Sequence, residues 1–192
     1  MRHLRRNHRL QLIRRIGLFT PLTWALAFIV SVLGTAALTA AARKTNRKKM
    51  AEYRQIALTG IVFIAGTFFT VQITKLFWGR GRFYDLDPVA SEFTRWFTPR
   101  GITGNYSFPS AHSSGAAAML FLTLLSRHPK YKGKEFIFFC ISVIYTGIVA
   151  FSRIVNGAHF ASDVLFGFLI ALAWLELSKK IMKIKSQDLL IS

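Results

Sequence analysis

Uncharged apolar stretches, each about as long as a bilayer is thick, most constrain what this chain can fold into. Phe19–Ala42 and Phe136–Phe151 contain no Asp, Glu, Lys or Arg, although the 192-residue chain carries a formal net charge of +18. A helix of roughly 17–25 apolar residues crosses a hydrocarbon core about 30 Å thick. The pattern therefore predicts an all-α, polytopic membrane helix bundle that forms a single domain over residues 1–192.

The apolar pattern predicts five membrane helices, and the basic residues between them predict the orientation. The helices are expected at residues 16–42, 55–78, 111–127, 135–152 and 160–178. Segments 43–54 and 127–134 and the tail after residue 177 carry six, four and four Lys or Arg residues. Alternating spans place these segments on one side, which the positive-inside rule makes the cytoplasm. We therefore expect an inner-membrane protein whose segments 79–110 and 153–159 face the periplasm.

The N-terminal arm, residues 1–15, carries six Arg residues but lies outside if the chain crosses five times. Leu4, Leu12 and Ile16 recur at helical spacing, which favours an interfacial amphipathic helix bound to anionic lipid head groups. A cleaved signal sequence ending at 40–42 is a second interpretation, but the apolar stretch is too long for one. A third is that the first apolar stretch does not cross simply, and the sequence leaves this open.

The basic residues and the cysteine content exclude other classes of protein. Basic clusters flank the apolar stretches instead of lining one helical face, which favours a membrane protein over a nucleic-acid-binding one. Cys140 is the only cysteine and lies in an apolar stretch, so neither an internal disulfide nor a cysteine-rich metal site is possible. The sequence leaves the oligomeric state open.

Three stretches on the expected outer side are rich in groups that bind phosphate. They are residues 75–82 (KLFWGRGR), 108–112 (FPSAH) and 152–163 (SRIVNGAHFASD). Lys75, Arg82 and Arg153 can neutralise a phosphate dianion. Ser110 and the backbone N–H groups at a helix start can add hydrogen bonds. Brought together, the stretches would form a site for phosphate.

The same stretches contain residues suited to phosphoryl transfer. His159 and Asp163 are four residues apart, so on a helix the carboxylate can hold one imidazole nitrogen and leave the other free to attack. His112 is then the candidate acid for the departing oxygen. The cations supply the charge stabilisation, so we expect no metal and no cofactor. Asp163 alone also suits a helix N-terminus, but ionisable groups gathered at a membrane favour function.

These stretches resemble the signature of the type 2 phosphatidic acid phosphatase superfamily. That signature reads Lys-x6-Arg-Pro, then Pro-Ser-Gly-His, then Ser-Arg-x5-His-x3-Asp. Lys75 and Arg82 have the first spacing, Pro109–His112 supplies the second element, and Ser152–Asp163 matches the third. The resemblance covers residues 75–163 in the same order.

The resemblance implies roles for individual residues. It implies a phosphohistidine intermediate at His159, with Asp163 orienting that side chain and His112 protonating the leaving group. It also implies a phosphate-binding set made of Lys75, Arg82, Ser110, Arg153 and the backbone N–H of Ala111. Phe83 replaces the signature proline and Ala111 replaces the glycine, and neither change removes a catalytic group. Many lipid-directed members have six spans, so the role of residues 1–15 stays open.

The membrane setting favours a lipid phosphate as the substrate. The resemblance extends to phosphatases for lipid A 1-phosphate, phosphatidylglycerophosphate and undecaprenyl diphosphate, and a cation-rich outer rim favours lipid A 1-phosphate. Arg80 has no counterpart in the signature and is expected to contact a second phosphate or a head group, or to be solvated. A lipid phosphotransferase is a rival hypothesis, as is a non-catalytic lipid-binding or transport protein.

Overall fold

The structure of the chain, a computed structural model, describes residues 47–86, 93–127 and 129–183. These residues form helices and loops, and no strand occurs among them. The helices are α1 (Arg47–Trp78), α2 (Ala111–Ala116), α3 (Leu122–Leu125), α4 (Glu135–Val155) and α5 (Ala161–Ile181), with 3₁₀ turns at Phe83–Asp85, Ala117–Phe121 and Pro129–Tyr131. The predicted all-helical class is confirmed.

Three of these helices, α1, α4 and α5, are long and apolar enough to cross a membrane. On α4 the large apolar side chains of Ile144, Ile148 and Phe151 are exposed, as expected for a surface that faces lipid. The predicted helical membrane bundle is thus confirmed. The predicted helix at residues 16–42 and the amphipathic arm at 1–15 lie outside the described residues.

The predicted helix at 111–127 is not one continuous α-helix. It comprises α2, a 3₁₀ turn and α3, which together we call the interrupted helix (residues 111–125). The interrupted helix is shorter than a membrane span requires. Helices α4 and α5 continue a few residues beyond their predicted ends, because an apolar run marks the part of a helix in hydrocarbon and not where the helix ends.

The hydrophobic core lies between α1, the interrupted helix and α5. Phe63, Leu120 and Leu175 are almost completely buried there. Gly66 lets α5 approach α1 closely, since a Cβ at that position would lie 2.2 Å from the ring of Trp174. Small residues at such contacts let membrane helices pack through van der Waals contact.

Polar contacts join the helix ends at both ends of the bundle. At one end, Nε2 of Gln55 donates a hydrogen bond to the carbonyl of Met182 at 2.9 Å. At the other, the backbone N–H of Ser110 donates to the carbonyl of Asp163 at 2.8 Å. This second end, which we call the site end, gathers the end of α1, the start of the interrupted helix, the end of α4 and the start of α5.

Candidate active site

The three stretches singled out in the sequence meet at the site end of the bundle. Each contributes from a different place: the last turn of α1 and the loop after it, the start of α2, and the junction between α4 and α5. The residues gathered there are Lys75, Arg82, Ser110, Ala111, His112, Arg153, His159 and Asp163.

His159 and Asp163 are both buried where α5 begins. Nδ1 of His159 lies 3.7 Å from Oδ2 of Asp163, a separation longer than a normal hydrogen bond. Within the described part of the chain, Nδ1 has no hydrogen-bond partner. A carboxylate on this side of the ring favours the tautomer with its proton on Nδ1, which leaves the lone pair on Nε2.

The Asp163 carboxylate is fixed by three donors. Oδ1 accepts from Nη1 of Arg80 at 2.5 Å. Oδ2 accepts from Oγ of Ser107 at 2.5 Å and from the backbone N–H of Phe160 at 3.0 Å. Hydrogen bonds to a charged group are among the stronger ones in proteins. The side chain that faces His159 is therefore held in one orientation.

Two of these donors, Arg80 and Ser107, could not be identified from the sequence pattern. Of the three expectations for Arg80, solvation is wrong, because its side chain is only 3% exposed and pairs with Asp163. The partners lie 83 residues apart, so no local spacing reveals the pair. The available signal was an arginine close to a membrane helix end, a position where cations are often functional.

The environment of His159 favours the neutral imidazole. Burial is the largest influence and lowers the pKa of His159. The Asp163 side chain acts in the opposite direction, while the positive charges of Lys75 and Arg82 lower the pKa further. The net shift is downward, so His159 keeps the lone pair that a nucleophile needs at neutral pH.

His112 is a second imidazole in the same space. It lies in the first turn of α2 and is half-buried. The ring centroids of His112 and His159 are 6.1 Å apart, with 62° between the ring planes. Both rings are therefore within reach of one small bound group.

Three cations lie close to the two imidazoles: Lys75 and Arg82 act electrostatically on both rings, and Arg153 acts on that of His112. Lys75 is buried, and its Nζ donates to the carbonyl of Tyr106 at 2.5 Å. Arg82 is half-buried against the side chain of Tyr84, and Arg153 is also half-buried. None of the three forms a salt bridge with a carboxylate of the described residues. Such a group of cations is suited to an anion.

The start of α2 adds hydrogen-bond donors beside His112. Ser110 caps this helix, and its Oγ accepts from the N–H of Ser113 at 3.3 Å. Accepting this bond leaves the hydroxyl proton of Ser110 available to another acceptor. The N–H of Ala111, in the first turn, has no partner within the helix. In residues 47–86, 93–127 and 129–183, no group of three His, Cys, Asp or Glu side chains could hold a metal.

The sequence of the chain matches the PAP2 superfamily over residues 55–186. This match covers more than half of the chain and includes every candidate site residue. The protein therefore belongs to the PAP2 superfamily, as the three sequence stretches predicted.

Two curated relatives that this chain matches are named as phosphatases of a sphingolipid phosphate. Sphingosine-1-phosphate phosphatase 2 of Mus musculus is 29% identical over 91 residues, which cover 43% of this chain and 26% of the relative. The Homo sapiens protein of the same name is also 29% identical over 91 residues, covering 23% of its length. The chain thus matches only about a quarter of each relative. No solved structure gives a significant match.

Proposed function

We propose that this protein is a metal-independent phosphatase that hydrolyses a phosphate monoester or diphosphate on a membrane lipid. The observation that carries the proposal is the buried His159–Asp163 pair, which lies beside His112 and near three cations that form no salt bridge with a described carboxylate. Membership of the PAP2 superfamily and the names of the two relatives support it. The site end of a membrane bundle is where a lipid head group would be met.

His159 is the proposed nucleophile. Its Nε2 attacks phosphorus, so that a P–N bond forms as the bond between phosphorus and the lipid oxygen breaks. His112 gives its proton to the departing oxygen. A bound phosphate dianion favours the protonated form of His112 that this step requires. His112 then takes a proton from water, which attacks the phosphohistidine, releases inorganic phosphate and restores His159.

The remaining site residues bind the phosphoryl group in this proposal. Lys75, Arg82 and Arg153 neutralise its charge, and the donors at the start of α2 contact its oxygens. These donors are the Ser110 hydroxyl and the Ala111 N–H. Because the cations stabilise the charge that phosphoryl transfer spreads over the equatorial oxygens, positioning and electrostatics can supply the catalysis.

Several phosphorylated lipids are candidates for the substrate. Lipid A 1-phosphate stays a prediction that rests on the cation-rich rim, and the relatives are named for sphingosine 1-phosphate. Both compounds present a terminal phosphate beside an apolar body. Exposed aromatic side chains near the site, Phe83, Phe97 and Tyr106, suit an interface with head groups. Our proposal also keeps phosphatidylglycerophosphate and undecaprenyl diphosphate as candidates, with the site on the periplasmic side of an inner membrane.

The test uses purified protein in detergent and measures phosphate release from lipid A 1-phosphate, sphingosine 1-phosphate, phosphatidylglycerophosphate and undecaprenyl diphosphate. His159→Asn should abolish release from whichever lipid is turned over, and the wild type should form an acid-labile, base-stable phosphoenzyme from labelled substrate. Asn156→Ala is the matched control, because Asn156 is exposed at the same junction. Full turnover by His159→Asn would exclude His159 as the nucleophile.

His112 has a separate test, because an acid matters only for a poor leaving group. His112→Asn should lose much more kcat/KM, which reports formation of the phosphoenzyme, on a lipid phosphate than on 2,4-dinitrophenyl phosphate, whose leaving group needs no proton. Equal losses of kcat/KM on both would exclude His112 as the acid. Transfer of label to an added lipid instead of water would indicate a phosphotransferase, and binding without turnover would indicate a non-catalytic protein.

A further inference from the structure

The guanidinium of Arg80 is directed into the protein, and its N–H groups donate hydrogen bonds to protein acceptors. Nε donates to the carbonyl of Thr94 at 2.9 Å. Nη1 donates to Oγ of Ser162 at 2.9 Å and to Oδ1 of Asp163 at 2.5 Å. The guanidinium carbon lies 4.1 Å from the ring centroid of Phe160. One side chain thus connects the loop at residue 94, the start of α5 and the carboxylate beside the candidate nucleophile.

The backbone before Arg80 explains why the chain turns inward there. Helix α1 ends at Trp78, and Gly79 follows with φ of +59°, the left-handed conformation common at helix C-termini. A Cβ on Gly79 would lie 2.2 Å from the carbonyl oxygen of Gly101, so the loop passes too close for any other residue. The backbone carbonyl of Arg80 also accepts from the N–H of Ser107 at 3.0 Å. The position of Arg80 is therefore set by tertiary contacts on both sides.

Arg82, two residues further on, is in a different situation. It is half-buried, its side chain contacts Tyr84, and it forms no salt bridge with a described carboxylate. Arg82 can direct its N–H donors to an incoming phosphate, whereas Arg80 would first have to break its salt bridge with Asp163. The two arginines therefore suit different tasks.

We propose that Arg80 is a positioning residue, which fixes Oδ1 of Asp163 so that Oδ2 stays turned toward Nδ1 of His159. This inference rests on the proposed role of His159 as the nucleophile. The other two donors to the carboxylate, Ser107 and the Phe160 N–H, both bind Oδ2. Without Arg80 the carboxylate is held at one oxygen only and can rotate about its terminal torsion, which is broad for Asp. The imidazole then loses its fixed orientation.

The first test separates positioning from phosphate binding by steady-state kinetics. Arg80→Gln should lower kcat about 10- to 100-fold, the range known for outer partners of metal-binding histidines. KM for the lipid phosphate, and the inhibition constant of inorganic phosphate, should change little. Arg82→Gln should instead raise both constants, since it removes a proposed phosphate ligand. Arg100→Gln, an exposed arginine of the same loop, is the control for loss of positive charge.

A double-mutant cycle then asks whether Arg80 acts through Asp163. If it does, adding Arg80→Gln to Asp163→Asn should lower kcat no further than Asp163→Asn alone. Arg80→Gln alone leaves Asp163 as a buried charge without its partner and could fail to fold for that reason. The double variant removes both charges, so it can still be compared with Asp163→Asn. Arg80→Lys should recover part of the kcat lost in Arg80→Gln, because it restores a positive charge near Asp163.

Two results would overturn the inference. One is a rise in KM and in the inhibition constant of phosphate in Arg80→Gln that matches Arg82→Gln, which would make Arg80 a phosphate ligand. The other is multiplicative losses of kcat in the double variant, which would mean that Arg80 acts independently of Asp163. Failure of the proposed function looks different, since the wild type would then release no phosphate or His159→Asn would remain active.

Discussion

The substitution Gly167→Ala tests how closely two parts of the site are held together. Gly167 lies where α5 crosses the start of the interrupted helix. A Cβ at this position would lie 2.5 Å from the carbonyl oxygen of Ser110 and 3.3 Å from Cβ of Ser113. The nearer atom belongs to the backbone, so it cannot move aside as a flexible side chain can. Normal contact requires the two elements to separate by about 0.5–1 Å, since protein interiors are close-packed.

Moving α5 away from the interrupted helix would misalign the residues proposed to carry out the reaction. Asp163 lies on α5 and His159 directly precedes that helix, whereas Ser110 and His112 belong to the other element. A misplacement of about 1 Å can cost roughly 100-fold in rate, so we expect kcat/KM to fall about 10- to 100-fold. Overpacking of this kind also costs about 1–3 kcal/mol of folding free energy, so the thermal midpoint in detergent should fall.

The assay is phosphate release from the preferred lipid, measured together with thermal unfolding. Gly147→Ala is the matched control, because Gly147 is exposed on α4 and a Cβ there meets nothing within 4 Å. That variant should keep wild-type activity and be as stable or slightly more stable. Wild-type kcat/KM and stability in Gly167→Ala would refute the packing argument. A loss of stability with unchanged kcat/KM would refute the link between this contact and the site.

Two further predictions concern pH and orientation. Because the pKa of His159 is lowered, the neutral nucleophile should persist as pH falls through about 6.5, the ordinary value for histidine. The acid limb of the kcat/KM profile should therefore lie below that pH, and an acid limb at or above it would contradict the prediction. Orientation can be tested with single cysteines at the exposed positions 97 and 132 in a Cys140→Ser background. Phe97→Cys should react with a membrane-impermeant maleimide in intact cells, and Lys132→Cys should react only after permeabilisation. The reverse labelling pattern would contradict the proposed orientation.

The long helices, and the meeting of the three stretches at one end of the bundle, were predictable from patterns in the sequence. Apolar length predicted α1, α4 and α5, since a bilayer sets the length of a span. The spacing of His159 and Asp163 predicted that they share a helix face, and both lie at the start of α5. Chemistry of the side chains, together with the family resemblance, then predicted which distant stretches would meet.

The contacts that fix the site were not predictable in this way. The pair Arg80–Asp163 and the close approach of Gly167 to Ser110 join residues far apart in the chain. Neither has a spacing rule, because each depends on how α5 packs against the loop and the interrupted helix. The 3₁₀ turn within the interrupted helix has the same origin, since an apolar stretch does not reveal the hydrogen-bond pattern of its backbone.

The positions of the charged residues also follow from the ends of the helices. Lys75 and Arg153 lie in the last turns of α1 and α4, and Asp163 lies in the first turn of α5. These are the ends at which a helix dipole stabilises a cation and an anion respectively. Each of these residues can therefore stabilise the end of its helix and also act in the proposed reaction. The two interpretations exclude each other for none of them.

The bilayer explains why the reaction would be placed at helix ends at all. Inside hydrocarbon, the backbone groups of a helix are already paired with one another, so none is left to bind an anion. Donors become available only where a helix starts, as at Ser110 and Ala111. A lipid phosphate also reaches the protein at this depth, at the surface of the membrane. The long helices accordingly provide the contact with lipid, while the junctions between them hold the residues proposed to carry out the chemistry.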